Sequence, residues 1–272
     1  MLETVEGRLR AAGIESAPAE ARWIVEVAMG TSSSRWTDKD TPSDEHRATA
    51  LALADRRAAG EPLQYVTGKA GFRHLELAVG PGVLVPRPET ELVAEAAMAR
   101  LPHAGVLVDV GTGCGAIALA VASERLDARV LATESSVEAM TWARRNRAAL
   151  GARVELIACD LVSGLPPEIA GEVDVVVANL PYVAPEEAAT LPRDVIGHEP
   201  REALFSPGGG LAAIERLARS VLDVLRAGGW LVLEIGASQG TAARALLEGL
   251  GYLEVAIDRD LAGRDRIAQA RR

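Results

Sequence analysis

The spacing of apolar residues changes along the chain, and in residues 1–60 it follows the period of a helix. Apolar side chains recur there every three to four positions, in stretches separated by Gly, Pro and Ser. Such spacing places them on one face of a helix. It predicts three helices, over residues 2–12, 19–29 and 42–59, with Gly13 and Gly60 just beyond the ends of the first and the third.

A shorter alternation follows in residues 62–86. Leu75, Leu77 and Val79 alternate with other residues, which is typical of a strand. Pro81-Gly82 predicts a turn and residues 83–85 a second short strand, so a hairpin is expected to join two domains. A helix is then predicted to open within residues 86–91 and to run to residue 100, because Pro and acidic residues are favoured at helix starts.

From residue 106 onward, short apolar runs alternate with amphipathic stretches. The runs predict strands over residues 106–110, 130–133, 154–158, 173–178 and 230–235, and the stretches predict helices over 116–125, 136–150, 211–226 and 241–250. Two last strands, over 252–257 and 267–270, have no helix between them, which predicts an antiparallel edge.

This order predicts an α/β fold of the Rossmann-like type. The sheet is expected to be doubly wound and mostly parallel with an antiparallel edge, and to follow a small N-terminal helical domain and a β-hairpin linker. The expected divisions are a helical domain over residues 1–68, the hairpin linker and a helix over 69–100, and a ligand-binding domain over 101–272.

Composition narrows the possible functions. The chain has 272 residues, a net charge of −9 and 3% aromatic residues, which argues against a nucleic-acid binder with a broad basic face. No run reaches the roughly 18 apolar residues of a membrane span, and the acidic amino terminus lacks a signal-peptide core. Two cysteines and four scattered histidines predict neither a disulfide framework nor a metal site. The expected location is a reducing cytoplasm.

A glycine-rich loop follows the strand predicted over residues 106–110, with the sequence Asp109-Val110-Gly111-Thr112-Gly113-Cys114-Gly115. Glycines let the backbone turn sharply and approach a ligand, and the next helix then presents free N–H groups to an anion. Either a dinucleotide pyrophosphate or the carboxylate of S-adenosylmethionine fits this arrangement. Asp109 favours the second, because an acid would repel a pyrophosphate but could hold the methionine ammonium.

Two further acids follow neighbouring strands. Glu134 can accept both ribose hydroxyls, or it is an acid favoured by the dipole at a helix start. Asp160 can accept the adenine amino group while Leu161 packs on the ring, or it is an ordinary loop residue. Cys114 and Cys159 are expected to be small filling residues rather than nucleophiles, because no adjacent His activates them.

The sequence Asn179-Leu180-Pro181-Tyr182 follows the apolar strand predicted over residues 173–178. An Asn at the carboxyl end of a parallel strand lies where such sheets bind ligands, and its amide can pair with another planar amide or an amino group. Pro181 restricts Leu180, and Tyr182 offers a flat face with a polar tip. These residues therefore predict a site for a planar nitrogen nucleophile, although an ordinary turn at a strand end is the alternative.

Together these motifs resemble the class I S-adenosylmethionine-dependent methyltransferases that modify amide or amino nitrogens. The wider chain resembles the HemK/PrmC family of peptide chain release factor glutamine-N5 methyltransferases. This resemblance spans nearly the whole chain and is carried by the helical amino domain and by residues 61–68, 84–91, 109–117, 179–182, 199–200 and 260–266.

The resemblance implies a reaction and a set of site residues. A methyl group is expected to pass from S-adenosyl-L-methionine, leaving S-adenosyl-L-homocysteine, to the Gln of the Gly-Gly-Gln motif in class 1 release factors. Asn179 and the Leu180 main-chain oxygen would accept the two amide N–H groups, with Pro181 and Tyr182 completing the catalytic and substrate-binding loop. The cofactor would contact Asn179 and the acids and loop residues Asp109, Gly111, Thr112, Gly113, Cys114, Gly115, Glu134, Asp160 and Leu161.

Several further expectations follow from the same resemblance. The family motif is Asn-Pro-Pro-Tyr, and Leu180 stands here in place of its first proline, so some stiffness is lost while the main-chain oxygen remains. Arg87 and Glu89 would shape the cofactor mouth or form an ion pair at a helix start. The amino domain would dock the release factor, and the chain would act as a monomer without membrane or stable nucleic-acid partners.

Two other functions stay open from the sequence. One is a methyltransferase of amino groups in nucleic acids, which the acidic net charge disfavours. The other is a non-catalytic or dehydrogenase-like Rossmann module.

Overall fold

The computed structural model describes residues 1–31 and 41–272. They form two compact units. The first contains residues 1–69 with two short later segments, 79–81 and 191–198, and the second contains residues 70–78, 82–190 and 199–272.

The first unit is helical, as the apolar spacing predicts. Its helices are α1 (Leu2–Ala11), α2 (Ala17–Met29), α3 (Asp44–Ala58), α4 (Leu63–Thr67) and α8 (Arg193–His198). Val5, Leu9 and Ile24 are fully buried in its core. The Ser43 side chain accepts a hydrogen bond from the backbone N–H of His46, which caps α3 at its predicted start.

The predicted hairpin is present, but one of its strands was assigned wrongly. Strand β1 (Lys69–Phe72) pairs with β2 (Leu75–Ala78), and residues 83–85 form no strand. Val83 and Val85 are buried, so their apolar character reflects packing rather than strand pairing. The prolines at positions 86 and 88 also lack the N–H groups that a ladder requires.

The second unit is built on a seven-stranded sheet with the order β5-β4-β3-β6-β7-β9-β8. The strands are β3 (Val106–Val110), β4 (Arg129–Glu134), β5 (Val154–Ala158), β6 (Val173–Ala178), β7 (Leu225–Glu234), β8 (Leu253–Arg259) and β9 (Asp265–Arg271). The pairings from β5 to β7 are parallel, whereas β9 lies antiparallel between β7 and β8. The predicted Rossmann-like sheet with an antiparallel edge is therefore confirmed.

Helices connect and cover these strands. They are α5 (Pro88–Arg100), α6 (Ala116–Glu124), α7 (Val137–Leu150), α9 (Arg201–Leu204), α10 (Ala212–Ser220) and α11 (Gly240–Gly249), with short 3-10 helices at Pro167–Ile169 and Pro185–Thr190. The helix predicted over residues 211–226 is wrong in its second half, because α10 ends at Ser220 and β7 begins at Leu225. Val221 and Leu225 are fully buried, and this apolar spacing fits both a helix and the start of a strand.

The centre of the sheet is fully buried. Every residue of β6 is buried, and Val173, Val176 and Ala178 belong to the core between the sheet and its helices. Among the described residues, no helix has the length and apolar character that crossing a membrane requires.

Candidate active site

A cavity of about 270 Å³ opens in the second unit at the carboxyl ends of its parallel strands. It lies where β3 and β6 are neighbours, the point at which the strand order reverses and at which such sheets bind ligands. The predicted site residues that line it are Asp109, Gly111, Thr112, Gly113, Cys114, Glu134, Asp160, Leu161, Asn179, Leu180 and Pro181.

The backbone of the glycine loop adopts a conformation that is unfavourable for residues with a side chain. Gly111, Gly113 and Gly115 have φ angles of 70°, 60° and 92°, in the left-handed region. A Cβ at Gly111 would lie 2.9 Å from Leu180 Cδ2, and one at Gly115 would lie 2.7 Å from Leu119 Cδ1. The loop therefore needs glycine for its conformation and for close packing around the cavity. Gly115 itself does not line the cavity and is the N-cap of α6.

Asp109 is buried at the end of β3. Its Oδ2 accepts hydrogen bonds from Thr112 Oγ1 at 2.6 Å and from the Ala118 N–H at 3.0 Å. Its Oδ1 is buried and receives no hydrogen bond from the described residues. Burial raises the pKa of Asp109 to about 7, despite these two hydrogen bonds. An unpaired carboxylate oxygen at a cavity wall fits a cationic ligand such as an ammonium group.

Glu134 faces the cavity from the end of β4 and is nearly buried. Its two oxygens accept hydrogen bonds from the N–H groups of Gly113 at 2.9 Å and Ser136 at 2.8 Å. Each carboxylate oxygen has a second lone pair, so Glu134 can still accept hydroxyl groups. Burial raises the pKa of the nearby Cys114 thiol to about 12, which fits a filling role rather than a nucleophile.

Asp160 lines the cavity but is well exposed, and its Oδ2 lies 2.7 Å from Arg216 Nη2. Leu161 beside it has a φ of 49°, which is unusual for a residue with a side chain. Arg216 was not expected here, because it lies on α10, 56 residues further along the chain.

The Asn179 side chain is held by one hydrogen bond. Its Nδ2 donates to Thr90 Oγ1 at 3.2 Å, and its Oδ1 accepts no hydrogen bond from the described part of the chain. Leu180 is buried in the core, and this packing anchors the loop. The family that the chain resembles has a proline at this position. Leu180 O likewise accepts nothing from residues 1–31 and 41–272. Two adjacent oxygens are thus available as acceptors.

Tyr182 lies outside the set of residues that line the cavity. Its hydroxyl donates to Glu234 Oε1 at 3.1 Å, and its main-chain oxygen accepts from Gln239 Nε2 at 2.8 Å. The pKa of this phenol is raised above its usual value, mainly by burial and to a smaller extent by the charge of Glu234. The tyrosine therefore anchors the far end of the loop.

Thr90, Glu234 and Gln239 contact the loop of residues 179–182 but were not predicted as site residues. Glu234 could have been predicted as a site residue, because it is an acid at the end of an apolar strand, like Asp109 and Glu134. Arg87 was expected either at the cofactor mouth or in an ion pair at a helix start. It is the N-cap of α5, and its Nη2 lies 2.6 Å from Glu199 Oε2, while neither Arg87 nor Glu89 lines the cavity. In the described ranges, no group of three or more His, Cys, Asp and Glu side chains could hold a metal ion.

Comparison with known families gives matches in both parts of the chain. Residues 1–68 match the PrmC N-terminal domain, and residues 88–218 match the methyltransferase small domain.

Curated relatives match over most of their length. A release factor glutamine methyltransferase of Mycolicibacterium smegmatis is 39% identical over all of this chain and 96% of its own. Another, of Neisseria gonorrhoeae, is 43% identical over 82% of this chain and 81% of its own. Among solved structures, a methyltransferase from Pyrococcus furiosus shares the fold with a TM-score of 0.55, at 20% identity over 83% of this chain and 97% of that one.

Proposed function

The chain belongs to the release factor glutamine methyltransferase family, and from this premise we propose that it methylates the side-chain amide N5 of the Gln in the Gly-Gly-Gln motif of peptide chain release factors. The cofactor is S-adenosyl-L-methionine, with S-adenosyl-L-homocysteine as the product. The observation that carries the proposal is a pair of oxygens, Asn179 Oδ1 and Leu180 O, that accept no hydrogen bond from the described residues and lie at the wall of a cavity lined by the glycine loop.

The cavity residues fit this cofactor. Asp109 Oδ1 suits the ammonium, and Glu134 suits the ribose hydroxyls. The N–H groups of Gly111, Thr112, Gly113 and Gly115 already donate within the protein, so the glycine loop is proposed to shape the pocket around the cofactor. Asp160 and Leu161 are proposed to contact the adenine. Asp160 would then accept the adenine amino group either beside its ion pair with Arg216 or in place of it. When bound, the sulfonium supplies an already activated methyl group.

The loop after β6 is proposed to hold the substrate amide. A glutamine amide carries two N–H donors, and Asn179 Oδ1 and Leu180 O are two acceptors without protein partners among the described residues. Accepting both N–H groups would orient the nitrogen and stabilise the positive charge that develops on it. Pro181 and Tyr182 keep the loop rigid, because Pro fixes its own φ and Tyr182 is bonded at both its hydroxyl and its main-chain oxygen.

We also propose that the protein acts as a monomer in the cytoplasm, where release factors work, without a stable nucleic-acid partner. Support for the last point comes from its net charge of −9.

The deciding experiment is mass spectrometry of a class 1 release factor incubated with this protein and S-adenosylmethionine. One added methyl on the Gln of Gly-Gly-Gln is expected. A release factor whose Gln is replaced by Ala is the control and should gain none. No methylation of the intact release factor, or methylation of DNA or RNA offered in parallel, would contradict the proposal.

Replacing Glu134 by Ala is expected to weaken S-adenosylmethionine binding by about tenfold or more, the worth of hydrogen bonds to a charged group. The measurement is isothermal calorimetry. Glu138→Ala is the matched control, because Glu138 is an exposed acid in the first turn of α7 outside the cavity. The affinity of Glu138→Ala for S-adenosylmethionine should stay within about twofold of that of the unmodified protein. An unchanged affinity in Glu134→Ala would remove Glu134 from the site.

Cofactor affinity is expected to depend on pH through Asp109. Below its pKa of about 7 this carboxyl is neutral and cannot pair with an ammonium, so affinity should fall as the pH is lowered, approaching about tenfold per unit. At a pH well above about 8, where the α-ammonium beside the ligand's own carboxylate loses its proton, affinity should fall again. Calorimetry with S-adenosylhomocysteine should give a maximum between these values. Asp109→Asn should bind more weakly and lose the acid limb, and retention of that limb would contradict the assignment.

A further inference from the structure

A buried hydrogen-bonded chain runs from the substrate-holding loop to a carboxylate inside the second unit. Asn179 Nδ2 lies 3.2 Å from Thr90 Oγ1, and Thr90 Oγ1 lies 2.6 Å from Glu234 Oε2. The three residues come from different elements, since Asn179 follows β6, Thr90 is in the first turn of α5 and Glu234 ends β7. Thr90 is 3% exposed and Glu234 is 1% exposed, so water does not compete for these bonds.

With Glu234 ionised, the chemistry of these groups fixes the direction of every bond, in agreement with the observed contact of Asn179 Nδ2 with Thr90 Oγ1. An ionised carboxylate only accepts, so the single Thr90 hydroxyl proton must point to Glu234. The Thr90 oxygen can then act toward Asn179 only as an acceptor, and the group it meets must be the amide NH2. The Asn179 amide is therefore oriented with its nitrogen toward Thr90 and its Oδ1 away from it.

The carboxylate end of the chain is itself held in place. Tyr182 donates its hydroxyl to Glu234 Oε1 at 3.1 Å, so both carboxylate oxygens accept a hydrogen bond. Arg266 is buried nearby, and its Nη2 lies 3.6 Å from Asp260 Oδ2. Burial raises the pKa of Glu234, while the hydrogen bond from Thr90, the positive charge of Arg266 and the hydrogen bond from Tyr182 act in the opposite direction and favour its ionised form.

We propose that Thr90 and Glu234 are positioning residues that lock the Asn179 amide with its oxygen toward the substrate, and thereby make the site select a carboxamide over a carboxylate. The selection rests on the proposed function, since it concerns the amide that Asn179 receives. With the locked orientation, the site presents acceptors to the two N–H donors of a glutamine. A glutamate carboxylate offers no donor, so it would place oxygen against oxygen.

Removing the Thr90 hydroxyl frees the amide to rotate. The two orientations of the Asn179 amide have nearly the same shape, so with valine at position 90 Asn179 can also present its NH2 to the substrate. Valine has nearly the shape of threonine, but it leaves Glu234 Oε2 without its donor. The value of kcat would fall because, in part of the enzyme molecules, the Asn179 amide would present its NH2 instead of its oxygen to the substrate. Discrimination against a carboxylate would fall as well, because the turned amide donates a hydrogen bond to it.

The test compares Thr90→Val, Thr90→Ser and Thr133→Val. Thr133 is a matched control because it is also fully buried, and its hydroxyl has no hydrogen-bond partner in the described part of the chain. We expect Thr90→Val to lower kcat by about tenfold or more, the worth of an ordered hydrogen bond, while calorimetric affinity for S-adenosylmethionine stays within about twofold. Thr90→Ser should restore most of the loss, and Thr133→Val should match the unmodified enzyme.

A second measurement separates orientation from general damage. A release factor with Glu in place of the acceptor Gln is added as a competitive inhibitor, and its inhibition constant is compared with the KM of the normal substrate. We expect Thr90→Val to lower the ratio of this inhibition constant to the KM by about tenfold. A variant with a generally disordered site should instead lose affinity for both forms. Glu234→Gln, which makes the carboxylate position able to donate, should move the ratio in the same direction.

The outcomes distinguish the two proposals. If the unmodified enzyme does not methylate the release factor, the proposed function fails. If it does, and Thr90→Val keeps both its kcat and its preference for Gln over Glu, only the positioning role is overturned. A Thr90→Val loss that serine does not restore, or that Thr133→Val reproduces, also overturns it.

Discussion

Asn179→Ala is expected to lower kcat for release factor methylation by about 10²-fold or more, comparable to deleting one group of an oxyanion hole. The substitution removes the Oδ1 acceptor, so one N–H of the substrate amide loses its partner and the nitrogen loses part of its orientation. The loop itself should persist, because Leu180 is buried in the core and Tyr182 is bonded to Glu234 and Gln239.

Two measurements make this result specific. Methyl incorporation into a release factor gives kcat and KM, and calorimetry gives the affinity for S-adenosylmethionine, which should change by no more than about threefold. Thermal unfolding checks that the variant is folded. Methylation at the original rate would refute the role of Asn179, and a loss confined to cofactor affinity would assign this residue to the cofactor instead.

Much of the second unit could be predicted because its signals are local. Strands β3, β5 and β6 have the predicted bounds, since each is a short apolar run closed by a turn or a polar residue. Parallel strands place their carboxyl ends at one edge, so residues that follow different strands were expected to meet there. Asp109, Glu134, Asp160 and Asn179 do line one cavity.

The missed features depend on contacts between residues far apart in the chain. Thr90 and Glu234 are separated by 144 positions and meet only because α5 and β7 pack near the same edge of the sheet. The strand wrongly assigned to residues 83–85 has a similar origin, because Val83 and Val85 are apolar for packing. Periodicity records that a residue is buried, and it does not record the element against which the residue is buried.

The loop at residues 208–210 offers the second large effect, because it determines where Tyr182 lies. Gly210 has a φ of 82°, and a Cβ built there would lie 1.9 Å from the Tyr182 main-chain oxygen and 2.4 Å from Gln239 Nε2. Gln239 Nε2 also donates to Gly209 O at 2.9 Å and to Tyr182 O at 2.8 Å, which ties the two loops together. A side chain at position 210 would therefore push the substrate-holding loop out of place.

Gly210→Ala is accordingly expected to destabilise the fold by about 1–3 kcal/mol from overpacking, with about 1–2 kcal/mol more from the left-handed backbone. Activity should fall by about 10²-fold in the fraction that stays folded, because displacing a positioned group by about 1 Å costs that much. Denaturant unfolding and the kcat of release factor methylation measure the two effects.

Gly209→Ala separates collision from backbone strain. Gly209 has a φ of 66° and no atom within 4 Å of the position of an added Cβ, so its replacement carries the strain without the collision. We expect it to cost stability by about 1–2 kcal/mol while kcat stays within about threefold of the original. If both variants lose stability equally and Gly210→Ala keeps its kcat, the placement of Tyr182 by this loop does not limit catalysis. A selective loss of kcat in Gly210→Ala would instead show that catalysis depends on where the backbone of residues 179–182 is held.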